Sequence, residues 1–411
     1  MDVAASADRK ANDRRPSGSV REVFAAFLKL GLSSFGGPIA HLGYFRAEFV
    51  ERRKWLDEKA FADLVALCQF LPGPASSQVG FALGLSRAGP LGALAAWTAF
   101  TLPSAALMVA FAYGAAVFDT PLGFAVLHGL KLVAVAVVAQ AVLGMARTLT
   151  PDRARAAVAV AAVVSVVLVG GILGQVGAIV GGAVLGVLFC RGGEAVSPMH
   201  TPVRVRKAVG ALCVALFFVL LVVLPLLRVA TGVQAIALFD AFYRSGALVF
   251  GGGHVVLPLL RAEVVPPGWI SNSAFLAGYG AAQAVPGPLF TFAAYLGAAV
   301  GPEPHGIQGA VIALVAIFLP GLLVLVGALP FWDAIRRRPG AQAALRGANA
   351  AVVGILGSAL YNPVWTSSVG TSRDFLIAIA GFVALVAWKA PPWLVVVSVV
   401  LITVALGASS S

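Results

Sequence analysis

The sequence predicts an all-α integral membrane protein: about thirteen transmembrane segments in two inverted-topology repeats, with helices broken at Pro-Gly-Pro. Three observations carry this prediction. First, 60% of the residues are hydrophobic and 11% charged, and mean hydropathy is +0.94, which excludes an ordinary soluble domain. Second, the apolar runs after residue 22 are mostly long enough to span a bilayer, at roughly 17–25 residues each. Third, the chain repeats itself. Phe27-Leu-Lys29-Leu-Gly31-x-x-x-Phe35-Gly36-Gly37 recurs as Phe242-Tyr-Arg244-Ser-Gly246-x-x-x-Phe250-Gly251-Gly252, a shift of 215 residues that Glu48 and Glu263 keep. Gln69-Phe-Leu-Pro72-Gly73-Pro74 recurs as Gln283-Ala-Val-Pro286-Gly287-Pro288 at a shift of 214.

Residues 1–21 hold Arg9, Lys10, Arg14 and Arg15 and no apolar core. They read as a disordered basic cytoplasmic tail rather than a signal peptide. The segments fall at 22–43, 60–86, 89–117, 121–147, 156–170, 171–190, 207–228, 235–259, 273–299, 306–331, 341–361, 373–388 and 391–408. The run from Ala156 to Cys190 is too long for one span, and Gly170-Gly171 marks a hairpin of two short helices. Pro391-Pro392 divides the last two segments. Six segments make the first repeat (22–190), one lies in a linker (191–234), and six make the second repeat (235–408). The repeats begin an odd number of segments apart, so they predict opposite orientations in the membrane.

With the N-terminus in the cytoplasm and alternating sides, 19 of the 29 Lys and Arg fall inside, seven outside and three within segments, as the positive-inside rule expects. Lys389 counts there as a cytoplasmic loop charge. The stretch 46–59 is the exception, with five basic residues among Glu48, Glu51, Asp57 and Glu58. It reads as a mixed-charge amphipathic stretch facing outside, the alternative being a re-entrant first segment that keeps it inside. The net charge of +12 lies in short loops between apolar runs, so nucleic acid is not a partner. Cys68, Cys190 and Cys213 are an odd count without a CxxC pair, so neither a disulfide nor a metal site is expected.

Candidate binding residues follow from the breaks. Proline removes an N–H and clashes with the preceding turn, so each Pro-Gly-Pro must unwind its helix. Unwound backbone at membrane depth is tolerated where it lines a cavity or is buried in protein. Helices restarting after Pro74 and Pro288 would present N–H groups to an anion, joined by the hydroxyls of Ser76, Ser77 and Thr291. A plain kink is the competing reading, weakened by the occurrence of both breaks at equivalent repeat positions. Lys29 and Arg244 lie inside apolar segments, where an unpaired charge costs on the order of 3 kcal/mol. They are read as cations that draw an anion to the breaks, against snorkelling to the interface. Phe35-Gly36-Gly37-Pro38 and Phe250-Gly251-Gly252-Gly253-His254 read as a second pair of breaks facing the first, against simple close packing. Gln69 and Gln283 could donate to an oxyanion or bridge helices. His41 and His254 could carry protons or be structural. Glu48 and Glu263 could pair with the cations or be interfacial charges.

Neither a Walker motif nor HExxH, GxSxG or a His/Cys cluster occurs, so the chain reads as a non-enzyme without cofactor or metal.

In order and in both halves, Phe35-Gly36-Gly37-Pro38, Pro72-Gly73-Pro74, Phe250-Gly251-Gly252-Gly253 and Pro286-Gly287-Pro288 resemble the signatures of the two-domain chromate ion transporters, over about residues 22–408. The resemblance implies a bacterial inner-membrane protein that exports chromate, driven by membrane potential or a proton gradient, and confers chromate resistance. It implies chromate as the partner, sulfate as an isosteric competitor, protons as a candidate coupling ion, and a homodimer as a candidate assembly. Two other readings stay open: a sulfate or other oxyanion permease, and a non-transporting membrane sensor or partner subunit. On the charge reading, Arg244→Gln abolishes transport and spares expression.

Overall fold

The structure is a computed structural model that describes residues 18–114, 120–190, 203, 205–250, 253–332, 334 and 338–408. It is all-helical, with no strand among the described residues. The expected tail lies outside them, except that helix α1 already begins at Val20, capped by the Ser19 hydroxyl.

The first repeat runs α1 (Val20–Ser33), α2 (Gly37–Phe45, continued by a π-helical turn Arg46–Arg52), α3 (Glu58–Phe70), α4 (Ala75–Gly114), α5 (Pro121–Leu149), α6 (Arg153–Val169) and α7 (Gly171–Phe189). Ala88 and Gly89 have non-helical dihedrals, so α4 is two helices, 75–87 and 90–114. The linker helix α8 is Lys207–Thr231. The second repeat runs α9 (Gln234–Ala247), α10 (Val256–Val264), α11 (Asn272–Ala282), α12 (Phe292–Ala299), α13 (Gly306–Ala328), α14 (Pro339–Ala359), α15 (Ser372–Val386) and α16 (Pro392–Ala408). Counting α4 as two, each repeat has eight helices in the same order among the described residues. Local chemistry recurs with the order: Asp57 caps α3 through Ala60 N–H at 2.8 Å, and Ser271 caps α11 through Ala274 N–H at 3.1 Å.

Among the described residues, five helices are long and apolar enough to cross a membrane: Ala75–Gly114, Leu122–Leu149, Lys207–Thr231, Gly306–Phe331 and Pro339–Trp365. The sequence predicts thirteen segments, with breaks at the Pro-Gly-Pro and Phe-Gly-Gly motifs, and the breaks are found. Segments 22–43, 60–86, 235–259 and 273–299 each divide into two short helices at a motif break. At 14 residues, α1 is about 21 Å long, short of a roughly 30 Å hydrocarbon core. The cause is local. Gly36 and Gly37 sit at φ 99° and 76°, Gly73 and Gly287 at φ 115° and 102°, values that end a right-handed helix and that only glycine adopts freely. The hairpin at Gly170-Gly171 forms where the sequence places it.

The repeats interlock. The α6–α7 hairpin of the first repeat packs on α14 of the second, and the α15–α16 hairpin of the second packs on α5 of the first. The contacts are reciprocal at a constant offset of 218: Gly129 meets Val400 as Gly347 meets Gly182. The α7–α14 seam is glycine on glycine, and a Cβ at Gly347 would lie 2.0 Å from the Gly182 carbonyl oxygen. Backbones at that range derive their attraction from close packing. Gly347→Leu is expected to undock the hairpin at about 3 kcal/mol or more, read as loss of a monodisperse peak in detergent. Gly144→Ala, with open space around its Cβ, should leave that peak intact. Outward, the helices are bare hydrocarbon: Leu168 is 78% and Val229 85% exposed, a surface that only lipid covers without penalty. The chain is a multi-pass membrane protein.

Candidate functional site

The two families of breaks meet across the repeats. The Gly73 N–H of the first Pro-Gly-Pro donates to the Val249 carbonyl at 2.8 Å, and the Gly287 N–H of the second donates to the Ser34 carbonyl at 2.9 Å. Ser34 and Val249 each precede a Phe-Gly-Gly motif and are repeat equivalents. Each Pro-Gly-Pro of one half is thus stapled to the Phe-Gly-Gly entry of the other. Around the Ser34 carbonyl the staple is reinforced: His41 Nε2 lies 3.2 Å from it, and His41 Nδ1 lies 3.4 Å from the Ser76 hydroxyl. Around the other break, the buried Gln78 amide donates to the Pro72 carbonyl at 2.9 Å and to the Gly321 carbonyl at 2.8 Å.

Beside the Gly287 staple lies a cavity of about 240 Å³. Gly36 and Gly37 enter it from the first repeat, and His254, Gln283 and Gly287 from the second. Gln140 comes from α5, and Lys389 from the α15–α16 turn. The first turn of α2 starts at Gly37 with Gly36 as its N-cap and no side-chain cap, so backbone N–H groups at that end have no cap from their own helix. The two amides are lightly committed: Gln140 Nε2 stands 3.5 Å from the Leu385 carbonyl, and Gln283 Nε2 3.4 Å from the Tyr279 carbonyl. His254 Nδ1 is 2.7 Å from the buried Tyr279 hydroxyl. Among the described residues the lining carries no carboxylate. It is a set of donors with one permanent cation, and no group of ≥ 3 potential metal ligands occurs among the described residues.

Of the sequence candidates, the structure brings Gly36, Gly37, His254, Gln283 and Gly287 to this cavity. Phe35 stands behind it, its ring 6.3 Å from that of Trp393. Gly251 and Gly252 lie outside the described residues. Gln69 is exposed at the end of α3, and Pro72, Gly73, Pro74, Pro286 and Pro288 hold the breaks without lining the cavity. Ser76, Ser77 and Thr291 are buried and not in the lining. The Thr291 hydroxyl and N–H both donate to the Pro288 carbonyl, at 2.8 and 3.0 Å, so the second restart does not offer them to an anion.

The embedded cations sit elsewhere, paired with the equivalent acids. Arg244 makes four hydrogen bonds, to Asp240 at 2.9 and 2.7 Å and to Glu263 at 2.8 and 3.0 Å. Arg228 joins at 3.4 Å from Asp240. Lys29 lies 3.8 Å from Glu48, which also takes Arg52 at 2.8 Å and Arg53 at 2.6 Å. Burial opposes ionisation of Glu48, but its hydrogen bond from Arg53 and the charges of Arg53, Arg52 and Lys29 outweigh it and hold the carboxyl below the usual range. With Arg46 paired to Glu51 and Glu58, the mixed-charge stretch is an internally balanced network.

The Chromate transporter family profile matches twice, over residues 21–189 and 236–406. The chain belongs to that family. It is similar to the chromate transport protein of Pseudomonas aeruginosa, 30% identical over 389 residues covering 91% of this chain and 89% of that protein. It is similar to the probable chromate transport protein of Synechococcus elongatus, 30% identical over 385 residues and 91% of both chains. The chromate transport protein of Cupriavidus metallidurans is 25% identical over 354 residues, 84% of this chain and 82% of that one. No solved structure matches the chain.

Within this family member, sequence reasoning missed Gln140, Gln78 and Lys389. The repeat equivalents of Gln140 and Gln78 are Ser358 and Phe292, so the duplication signal that selected the other residues passes over them. Lys389 was hidden by its place between two apolar runs, where loop counting sees only a topological charge.

Proposed function

We propose that this chain is a secondary transporter that exports chromate from the cytoplasm across the bacterial inner membrane, driven by membrane potential or a proton gradient, and so confers chromate resistance. The observation that carries the reading is the donor-lined cavity where Phe-Gly-Gly of one repeat meets Pro-Gly-Pro of the other. A tetrahedral dianion would be held there by the first turn of α2 and by the Gln140 and Gln283 amides, in a space where no described residue offers a competing carboxylate. His254, hydrogen-bonded to Tyr279, is the group placed to exchange a proton with the cavity. No bond to the substrate is made or broken; the chain acts by binding and release rather than as an enzyme.

The reciprocal contacts between repeats support a two-fold relation, which with the odd segment offset makes the repeats inverted. The distribution of Lys and Arg supports a cytoplasmic N-terminus. Alternating access would then come from one repeat rocking against the other around the cavity.

The test is flux of radiolabelled chromate into and out of liposomes containing the purified protein, under an imposed potential and pH gradient, with sulfate as competitor. Potential-driven chromate flux is expected. Gln140→Leu and Gln283→Leu should each lower flux at limiting chromate by about tenfold or more, the worth of a hydrogen bond to a charged group at roughly 1.5–3 kcal/mol. Sulfate flux well above chromate flux would replace the proposal with an oxyanion permease. Absence of both would leave a non-transporting sensor or partner subunit.

A further inference from the structure

We propose that Lys389 is the substrate-binding cation of the transporter, and that it makes the two pseudo-equivalent halves of the molecule unequal. The inference rests on the function proposed above and adds to it a residue and a site asymmetry.

The first observation is placement. Lys389 lines the cavity with Gly36, Gly37, Gln140, Gln283 and Gly287, and among the described residues no carboxylate shares that lining. The basic residues embedded at equivalent repeat positions, Lys29 and Arg244, face acids. Lys389 is exposed, and the ammonium of this cavity-lining residue carries three donors and a full charge.

The second observation is backbone. Lys389 has φ 52°, a left-handed conformation that costs a side-chain-bearing residue energy and that glycine adopts freely. Its counterpart at the 218-residue offset is Gly171, with φ 54° at the tip of the α6–α7 hairpin. The two hairpin turns differ in length, α6 and α7 being joined through Gly170 alone and α15 and α16 through residues 387–391, yet the left-handed residue at this offset is a glycine in one and a lysine in the other. A strained conformation retained beside a cavity points to a role for the side chain. Glycine would hold this dihedral without strain, so turn geometry alone does not call for a lysine here.

The third observation is the counterpart set. Gln140 corresponds to Ser358 at the offset of 218, and His254 to Ile39 at the offset of 215 that relates the Phe-Gly-Gly motifs. The cation, the long amide and the imidazole all belong to one of the two pseudo-equivalent positions. One loaded oxyanion site per chain follows, with the opposite half serving as its scaffold.

The experiment is equilibrium dialysis of radiolabelled chromate against the purified full-length protein in detergent, comparing wild type with Lys389→Gly, Lys389→Asn, Lys389→Arg and Lys54→Gly. Glycine and asparagine both accept the left-handed conformation, so both variants are expected to keep the fold, checked by melting temperature. Lys54 is the other described non-glycine residue with positive φ, at 51°, and lies outside the cavity, so its variant controls for the backbone change. Lys389→Gly and Lys389→Asn should weaken chromate binding by at least about tenfold, with Lys389→Arg within about threefold and Lys54→Gly unchanged, tenfold corresponding to about 1.4 kcal/mol. Wild-type affinity in Lys389→Gly and Lys389→Asn, with wild-type protein binding chromate, overturns the role of Lys389 and leaves the transport reading standing. No binding by the wild type overturns the transport-site reading and this inference with it.

Discussion

Arg244→Gln is expected to remove folded protein, not merely transport. The guanidinium is 19% exposed and bridges Asp240, which is 0% exposed, and Glu263, which is 6% exposed. Two carboxylates within one apolar bundle are tolerated because Arg244 donates to both and Arg228 stands 3.4 and 3.8 Å away. Removing Arg244 leaves two acids facing one arginine. Breaking a buried pair from one side costs about 3 to 5 kcal/mol, because the partner charge stays behind without compensation. The sequence-level charge argument predicts the opposite: normal expression and abolished export. The two are separated by the melting temperature and yield of Arg244→Gln in detergent, and by a rescue. Arg244→Gln combined with Glu263→Gln restores charge balance and should recover most of the lost stability. A single variant with wild-type melting temperature and no flux would return Arg244 to the substrate path. Lys29→Gln is the internal contrast. Its ammonium is 59% exposed and 3.8 Å from Glu48, an arrangement worth at most about 1 kcal/mol, and Arg52 and Arg53 still hold Glu48 in its absence.

The all-helical class and the duplication were legible because both are written locally. Apolar composition excludes the alternatives, and proline and glycine interrupt a helix wherever they fall, whatever surrounds them. The same locality explains what was not legible. Gly36 at φ 99° and Gly73 at φ 115° lie at breaks the motifs already predict, but hydropathy gives thirteen apolar runs where five described helices are long and apolar enough to cross a membrane singly. Partnership is a tertiary property. The spacing of Lys29 and Glu48, repeated in Arg244 and Glu263, shows that the residues are equivalent without showing that they are paired. Nor does any periodicity reveal that each repeat docks its last hairpin, α6–α7 or α15–α16, on the opposite repeat. That exchange is what brings the Lys389 turn, the Gly36–Gly37 break and the Gly287 break to one cavity, although they lie in three distant parts of the sequence.

The two staples carry the other large expected effect. At Gly73 an added Cβ would lie 2.9 Å from the Gly321 Cα and 3.1 Å from the Gln78 amide; at Gly287 it would lie 2.8 Å from the Ser104 hydroxyl and 3.3 Å from the Phe100 carbonyl oxygen. Both glycines also hold left-handed dihedrals, which cost alanine about 1 to 2 kcal/mol before any contact is considered. The neighbours differ in how they can yield. Ser104 can rotate its hydroxyl away, whereas Gly321 offers only backbone and can yield only by moving α13. Gly73→Ala should therefore be the more destabilising of the two, by about 3 kcal/mol against about 1.5 for Gly287→Ala, combining strain with overpacking. Transport should rank the other way. The Gly287 staple borders the cavity, so displacing it shifts the donors that surround the anion, and Gly287→Ala should lose most chromate flux while staying folded. The order is decided by measuring melting temperature and liposome flux on both variants. A folded Gly287→Ala with wild-type flux would mean that the cavity beside that staple is not on the substrate path. A Gly73→Ala variant as stable as wild type would mean that the contact between the first break and α13 opens in the resting protein. The rocking proposed for the repeats would then pivot there, rather than carry both staples through the cycle intact.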